Sequence, residues 1–201
     1  MELQKKISMT QKPKILAFAG STRKDSYNKK LVQIAIRGAR NTGAEVTFID
    51  LRDLPMPIFD QDLEEEEDFP ENARKFKDLL LAHQGLLISS PEYNSSISGV
   101  LKNSIDWASR REENEKPLAC FVDKVAGLMS ASPGALGGLR GLVHVRAILG
   151  NIGVLVLPNQ VAISNAHEAF APEGSLKDQK KQAAVEKIGA DVAALLTKLQ
   201  S

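Results

Sequence analysis

Cysteine is nearly absent from this chain. Cys120 stands alone among 201 residues, so no internal disulfide can form. The multi-cysteine ligand sets of structural zinc and iron–sulfur clusters are excluded as well. The neighbours of Cys120 are apolar, which reads as a small buried side chain rather than a reactive thiol. Excess charge is also missing: Lys and Arg number 26, Asp and Glu 25, and the net charge is +1. No global pull toward nucleic acid or acidic membranes follows from that balance. No apolar run approaches the ~20 residues of a membrane span. Residues 1–12 are polar, carry Lys5 and Lys6, and have no signal-peptide core. They read as a disordered leader ahead of one domain over 13–201, with the cytoplasm as the expected location.

Familiar catalytic signatures are missing too. His83, His144 and His167 share no spacing with each other or with a carboxylate that would hold a metal; they read as surface or core residues. No Gly-x-Ser-x-Gly elbow of a hydrolase occurs. The acidic run Glu64-Glu65-Glu66-Glu67 reads as a solvated loop or the start of the next helix. A metal site there is the sharper alternative, but consecutive carboxylates diverge and no histidine accompanies them.

What is present is an alternation of short apolar runs and helical patterns. Strands are expected at 15–19, 46–50, 85–89, 125–130 and 153–157. Helices are expected at 28–40, 69–82, 97–110, 139–149 and 177–199. The strands are continuously apolar, as in a parallel sheet covered on both faces. The expectation is an α/β three-layer sandwich with a five-stranded parallel sheet. The 139–149 helix is apolar on nearly all sides, interrupted by Arg140, His144 and Arg146. Such a helix calls for burial on both sides, which predicts a subunit interface.

The turns after the strands carry the polar chemistry. Gly20-Ser21-Thr22-Arg23-Lys24-Asp25-Ser26-Tyr27-Asn28 opens a helix, whose N-terminus offers free N–H groups and partial positive charge. Ser21, Thr22 and Ser26 add hydroxyls, and Arg23 adds a planar cation that can take two phosphate oxygens. Asn28 can cap the first helical turn or reach a ligand. No Gly-Lys-Ser/Thr closes the loop and only Gly20 is present, so neither a triphosphate nor a dinucleotide motif is met. A terminal monophosphate fits better; an ordinary capped helix start is the plain alternative. Ser90-Pro91-Glu92-Tyr93-Asn94 follows the third strand, stiffened by Pro91 and presenting the Tyr93 ring and the Asn94 amide to a flat ligand. A turn with a core-facing tyrosine is the alternative. The small residues of Ala131-Ser132-Pro133-Gly134 would let a ring approach the backbone. Ligands of open α/β sheets bind at the carboxyl ends of strands, where these turns lie.

These turns, with Gly99-Val100-Leu101-Lys102-Asn103-Ser104-Ile105-Asp106-Trp107, resemble the NADPH-dependent FMN reductase family from about Lys14 to the final helix. The resemblance implies a flavodoxin-like fold, non-covalent FMN, and a homodimer or homotetramer. It implies that Ser21, Arg23, Ser26 and Asn28 hold the FMN phosphate and its approach. Pro91, Glu92, Tyr93 and Asn94 would line the isoalloxazine ring, and Ser132 and Gly134 would flank it. The family usually has proline before the helix-start glycine. Here Ser98-Gly99 stands instead, which predicts a looser loop beside the ring. The Glu64 to Glu67 run is expanded relative to the family.

The functional expectation is an FMN-dependent NAD(P)H oxidoreductase. It would reduce quinones or similar small acceptors by ping-pong hydride transfer, with the chemistry on flavin N5 and no catalytic side chain. NADPH and NADH are not distinguished. A flavin-binding electron carrier or redox sensor is the alternative, though carriers are often strongly acidic. A nucleotide-binding module without flavin is a third reading.

Overall fold

A computed structural model describes residues 11–66 and 69–200. Most of the expected leader, 1–10, and the end of the acidic run, 67–68, lie outside the described residues. Five strands form one all-parallel sheet in the order β2-β1-β3-β4-β5. They are β1 (Lys14–Ala19), β2 (Glu45–Asp50), β3 (Gly85–Ser89), β4 (Val125–Ala131) and β5 (Leu155–Ile163). The helices are α1 (Tyr27–Asn41), α2 (Gln61–Glu66), α3 (Glu71–Leu81), α4 (Gly99–Ser109), α5 (Leu139–Asn151), α6 (Ala166–Ala169) and α7 (Gln179–Leu199).

The central strands β3 and β4 are buried along their whole length, which is why they read as unbroken apolar runs. One face packs Ile15, Ala17, Leu87 and Met129 against α1 and α7. The other packs Leu16, Phe18, Leu86, Ile88 and Leu128 against α3, α4 and α5. Helices α1 and α7 touch backbone to backbone. A Cβ on Gly38 would sit 1.9 Å from the Glu186 carbonyl oxygen, and one on Gly189 would sit 1.9 Å from that of Ala35. Only glycine permits that approach.

Two expectations needed correction. Strand β5 does not stop at Leu157 but runs on through Pro158 to Ile163. Proline cannot donate to a ladder, yet it is tolerated on an edge strand at a bulge. The β4/β5 register does shift between Ala126 and Leu128. Arg146 serves the shifted segment, its guanidinium donating to Leu157 O at 2.7 Å and to Gln160 Oε1 at 3.1 Å. The acidic run is not simply loop: Glu64 lies in α2 and accepts the Arg110 Nε–H at 2.8 Å. Asp62 and Glu64 sit in the first turn of α2, where the helix dipole favours acids.

Helix α5 is not buried all round within the chain. Leu142, Val145 and Leu149 face the core. Leu139 and Val143 remain 44% and 58% exposed, next to Leu136 at 51%.

Candidate functional site

All three polar turns sit at the carboxyl ends of adjacent strands β1, β3 and β4, and side chains tie them together. Gly20 N–H donates to Ser89 O at 2.9 Å, and Ser90 N–H donates to Met129 O at 2.9 Å. These bonds continue the ladder one residue beyond the strands. Asn28 is the central tie. Its Nδ2 donates to Ala131 O, its Oδ1 accepts from Ala131 N–H, and Ser89 Oγ donates to the same Oδ1, each at 2.9 Å. One buried amide thus holds the first turn to the ends of β3 and β4. Asn28 lies two residues past the position that would cap α1; the N-cap position belongs to Ser26.

Ser98 makes a second tie. Its Oγ donates to Gly20 O at 2.6 Å and accepts Leu101 N–H at 3.2 Å, capping α4. The serine in place of proline therefore fastens the loop beside the ring site to the first turn rather than loosening it. The cap fixes the hydroxyl, and the hydroxyl fixes Gly20.

The second turn is a tight hairpin. Tyr93 and Ser96 exchange both backbone hydrogen bonds, at 3.0 and 2.9 Å. Asn94 and Ser95 between them have φ of 50° and 66°, the left-handed conformation that a two-residue hairpin loop demands and that asparagine tolerates. Helix α5 grips the hairpin from below. Glu92 accepts from Arg140 at 2.8 Å and from Gly141 N–H at 3.0 Å. His144 Nδ1 lies 2.9 Å from Ser96 Oγ. A Cβ on residue 141 would come within 3.2 Å of Ser96 O, so glycine lets the hairpin seat. Burial pushes the Glu92 carboxyl up, but the Gly141 N–H bond and the Arg140 guanidinium outweigh it and hold the group below the usual carboxylate range.

Within this frame lies a cavity of about 170 Å³ lined by Ser21, Arg23, Ser26, Tyr27, Asn28, Pro91, Glu92, Tyr93, Ala131, Ser132 and Pro133. Arg23 and Tyr93 share it. Asn94 and Gly134 do not line it: Asn94 is exposed at the hairpin tip and Gly134 is exposed beyond Ser132. Ser26 makes no side-chain cap bond, and the first turn of α1 carries no acid. The Arg23 guanidinium has no partner among the described residues, while the Arg23 backbone N–H donates to Ser21 Oγ at 3.3 Å. Open helix amides, two hydroxyls and an unpaired guanidinium on one wall suit a phosphate monoester. The enclosed volume is below the roughly 300–1,000 Å³ of whole-ligand pockets, so a flavin nucleotide would extend past the rim, where Tyr93 stands 51% exposed.

Sequence reasoning missed Tyr27, whose ring stacks on Phe170 at 5.9 Å and 11° between planes. It also missed the anchors Ser89, Ser98, Arg140 and His144. A serine ahead of a helix-start glycine is a cap signal that could have revealed Ser98; the others depend on long-range contacts. A larger cavity of about 590 Å³ lies by α3, lined by Glu64, Phe69, Arg74, Lys77 and their acidic partners. Four of its charges are spent on one another: Lys77 Nζ donates to Glu115 at 2.7 Å, and Arg74 donates to Glu112 at 2.7 Å. Among the described residues no helix is long and apolar enough to cross a membrane.

The sequence profile of the NADPH-dependent FMN reductases matches residues 13–168. An NAD(P)H-dependent FMN reductase of Pseudomonas aeruginosa is 36% identical over 173 residues, 86% of this chain and 89% of that protein. An NAD(P)H:quinone oxidoreductase of Solanum tuberosum is 32% identical over 192 residues, covering 93% and 94%. Among solved structures, the flavoenzyme NAD(P)H:(acceptor) oxidoreductase FerB from Paracoccus denitrificans superposes with a TM-score of 0.76 at 28% identity, over 92% of this chain and 98% of that one. A flavodoxin from the domain Archaea, 12% identical with a TM-score of 0.62 over 91% and 98%, shares the fold. The three-layer architecture, the strand order, the phosphate-suited turn and these relatives converge: the chain belongs to the NADPH-dependent FMN reductase family, flavin-dependent oxidoreductases on a flavodoxin-like fold.

Proposed function

We propose that this protein passes electrons from NAD(P)H to quinones or similar flat acceptors in a ping-pong sequence, using non-covalent FMN. The observation that supports it most is the single cavity shared by Arg23 and Tyr93, a phosphate-type wall facing an aromatic one. Relatives named quinone reductases, including one of Escherichia coli at 32% identity over 149 residues, point to the acceptor class.

The chemistry that FMN supplies when bound is hydride acceptance at N5 and its delivery to a second molecule. The protein's part is positional. Arg23, Ser21 and Ser26 hold the phosphate with the amides of α1. Asn28 keeps the approach open by fixing the turns around it. Pro91, Glu92 and Tyr93 line the ring side and Ser132 flanks it, while Asn94 and Gly134 stand outside the cavity wall and would meet only the part of the ring that extends past the rim. Ping-pong exchange asks for one exposed ring face that a nicotinamide leaves and a quinone then occupies. The half-exposed Tyr93 hairpin fits such an open face. The exposed apolar edge of α5 is a subunit contact of a homodimer or homotetramer. Use of reduced nicotinamides fits the cytoplasm.

The test is spectroscopic. Purified protein with FMN should turn yellow, bleach anaerobically with NADPH, and recover colour on adding a quinone. Protein that stays colourless after incubation with FMN contradicts the proposal. Bleaching without quinone turnover points instead to a carrier.

A further inference from the structure

A second cavity, of about 250 Å³, lies on the other side of the first turn. Ser21 and Arg23 face the flavin-type cavity, whereas Thr22 between them lines this one. Its walls are the apolar side chains of Leu54, Pro55, Met56 and Val100. One charged residue lines it, Arg52, and no carboxylate does. Among the described residues the Arg52 guanidinium makes no hydrogen bond or ion pair, although its backbone N–H donates to Asp50 Oδ1.

The proline-rich wall is built rather than incidental. Asn72 Nδ2 donates to Pro55 O at 2.9 Å. Asn103 Nδ2 and Trp107 Nε1 both donate to Pro57 O, at 2.9 and 2.8 Å. Phe59 N–H donates to Asn103 Oδ1 at 2.7 Å. Three side chains from α3 and α4 thus hold a segment that has no secondary structure of its own. A slot held open in this way loses little entropy on taking a ligand.

Apolar walls, a hydroxyl and one planar cation left unpaired among the described residues suit an apolar-faced ring that carries a dianionic group. We infer that this cavity receives the adenine end of NADPH, with Arg52 on the 2′-phosphate, and that Arg52 sets the preference for NADPH over NADH. The inference rests on the reductase reading above. It adds where the far end of the reductant lies while its nicotinamide is at the flavin. A molecule reaching from one cavity to the other crosses only the first turn, whose residues line both.

The experiment compares wild type with Arg52→Gln and Arg52→Lys. Arg52 is exposed, so these variants should fold and take up FMN as wild type does. Arg52→Gln should raise KM for NADPH about tenfold, the scale of one lost charge-assisted contact, and leave KM for NADH and both kcat values unchanged. Arg52→Lys should recover part of the difference. In calorimetry, wild type should bind adenosine 2′,5′-bisphosphate more tightly than adenosine 5′-monophosphate, and Arg52→Gln should make the two equal. Equal binding in wild type, or an Arg52→Gln variant with unchanged NADPH preference, overturns the inference. A wild type that takes up no FMN sinks the reductase reading instead. The calorimetric comparison needs no turnover and still decides whether this cavity is a 2′-phosphate site.

Discussion

Asn28 and Ala131 are joined twice, amide to backbone, across 103 residues of sequence, with both bonds at 2.9 Å. A side-chain amide has one donor side and one acceptor side, and here they match the C=O and N–H of a single residue. Ser89 Oγ shares the acceptor. Replacing Asn28 with alanine leaves the Ala131 N–H and C=O and the Ser89 hydroxyl buried without partners. That should cost about 3 kcal/mol in urea unfolding and lower FMN affinity together with stability. Wild-type stability with lost flavin binding would instead make Asn28 a direct ligand.

Arg23 carries the opposite expectation. It is exposed and its guanidinium has no partner among the described residues, so Arg23→Ala should leave the unfolding midpoint within experimental error. FMN should weaken by ~1.5–3 kcal/mol, the range for a bond to a charged group. A fluorescence titration of FMN reads this directly, and unchanged affinity would remove the phosphate assignment.

Glu92 should make the protein acid-sensitive. Its carboxyl titrates below the ordinary range because Gly141 N–H and Arg140 outweigh the effect of burial. A depressed carboxylate contributes stability that is fully present above its unfolded value and is lost as pH falls through the folded one. Glu92→Gln should lower stability by ~1 kcal/mol at pH 7. The gap from wild type should close as pH drops below about 4. Urea midpoints measured at pH 7 and pH 3 decide the matter.

Cys120 should be inert in the folded state. Burial pushes its thiol up to about 11, and the side chain is 2% exposed. A thiol-reactive chromogenic disulfide at pH 8 should label it only after denaturation. Prompt labelling of native protein would show that this part of the α3–β4 side opens.

Val143 tests the subunit contact. Its side chain is 58% exposed, on the stretch that also exposes Leu136 and Leu139. Val143→Glu should shift sedimentation from dimer or tetramer to monomer without unfolding the protein. A wild type that is already monomeric at micromolar concentration ends the interface proposal.

The fold was legible because buried parallel strands announce themselves. Residues 85–89 read as continuous apolar sequence and form β3 over those same residues. Strand β5 was cut short because Pro158 ordinarily ends a strand; only the register shift and Arg146 make it tolerable there. Helix α2 is six residues of mostly acidic sequence, with no apolar periodicity to reveal it; its Glu64 is held by Arg110, 46 residues away. The polar turns were legible as turns because Pro91, Asn94 and the serines are local signals. What holds them was not. The partners of Asn28 and Glu92, and the Gly20 carbonyl that Ser98 reaches, come from distant parts of the chain, and spacing carries no trace of them. The three polar interruptions of α5 looked like blemishes in an apolar helix. Arg140 and His144 hold the Tyr93 hairpin, and Arg146 holds the shifted edge strand.

The glycine contact between α1 and α7 reaches further than packing. With no side chains between the two backbones at Gly38 and Gly189, neither helix can roll or slide without the other. The start of α1 aims its amides at the cavity, yet its angle is set near its opposite end, against a helix that lines no part of that cavity. A methyl group added at Gly38 would act as a wedge, tilting the amides off their target while every residue lining the cavity stayed unchanged.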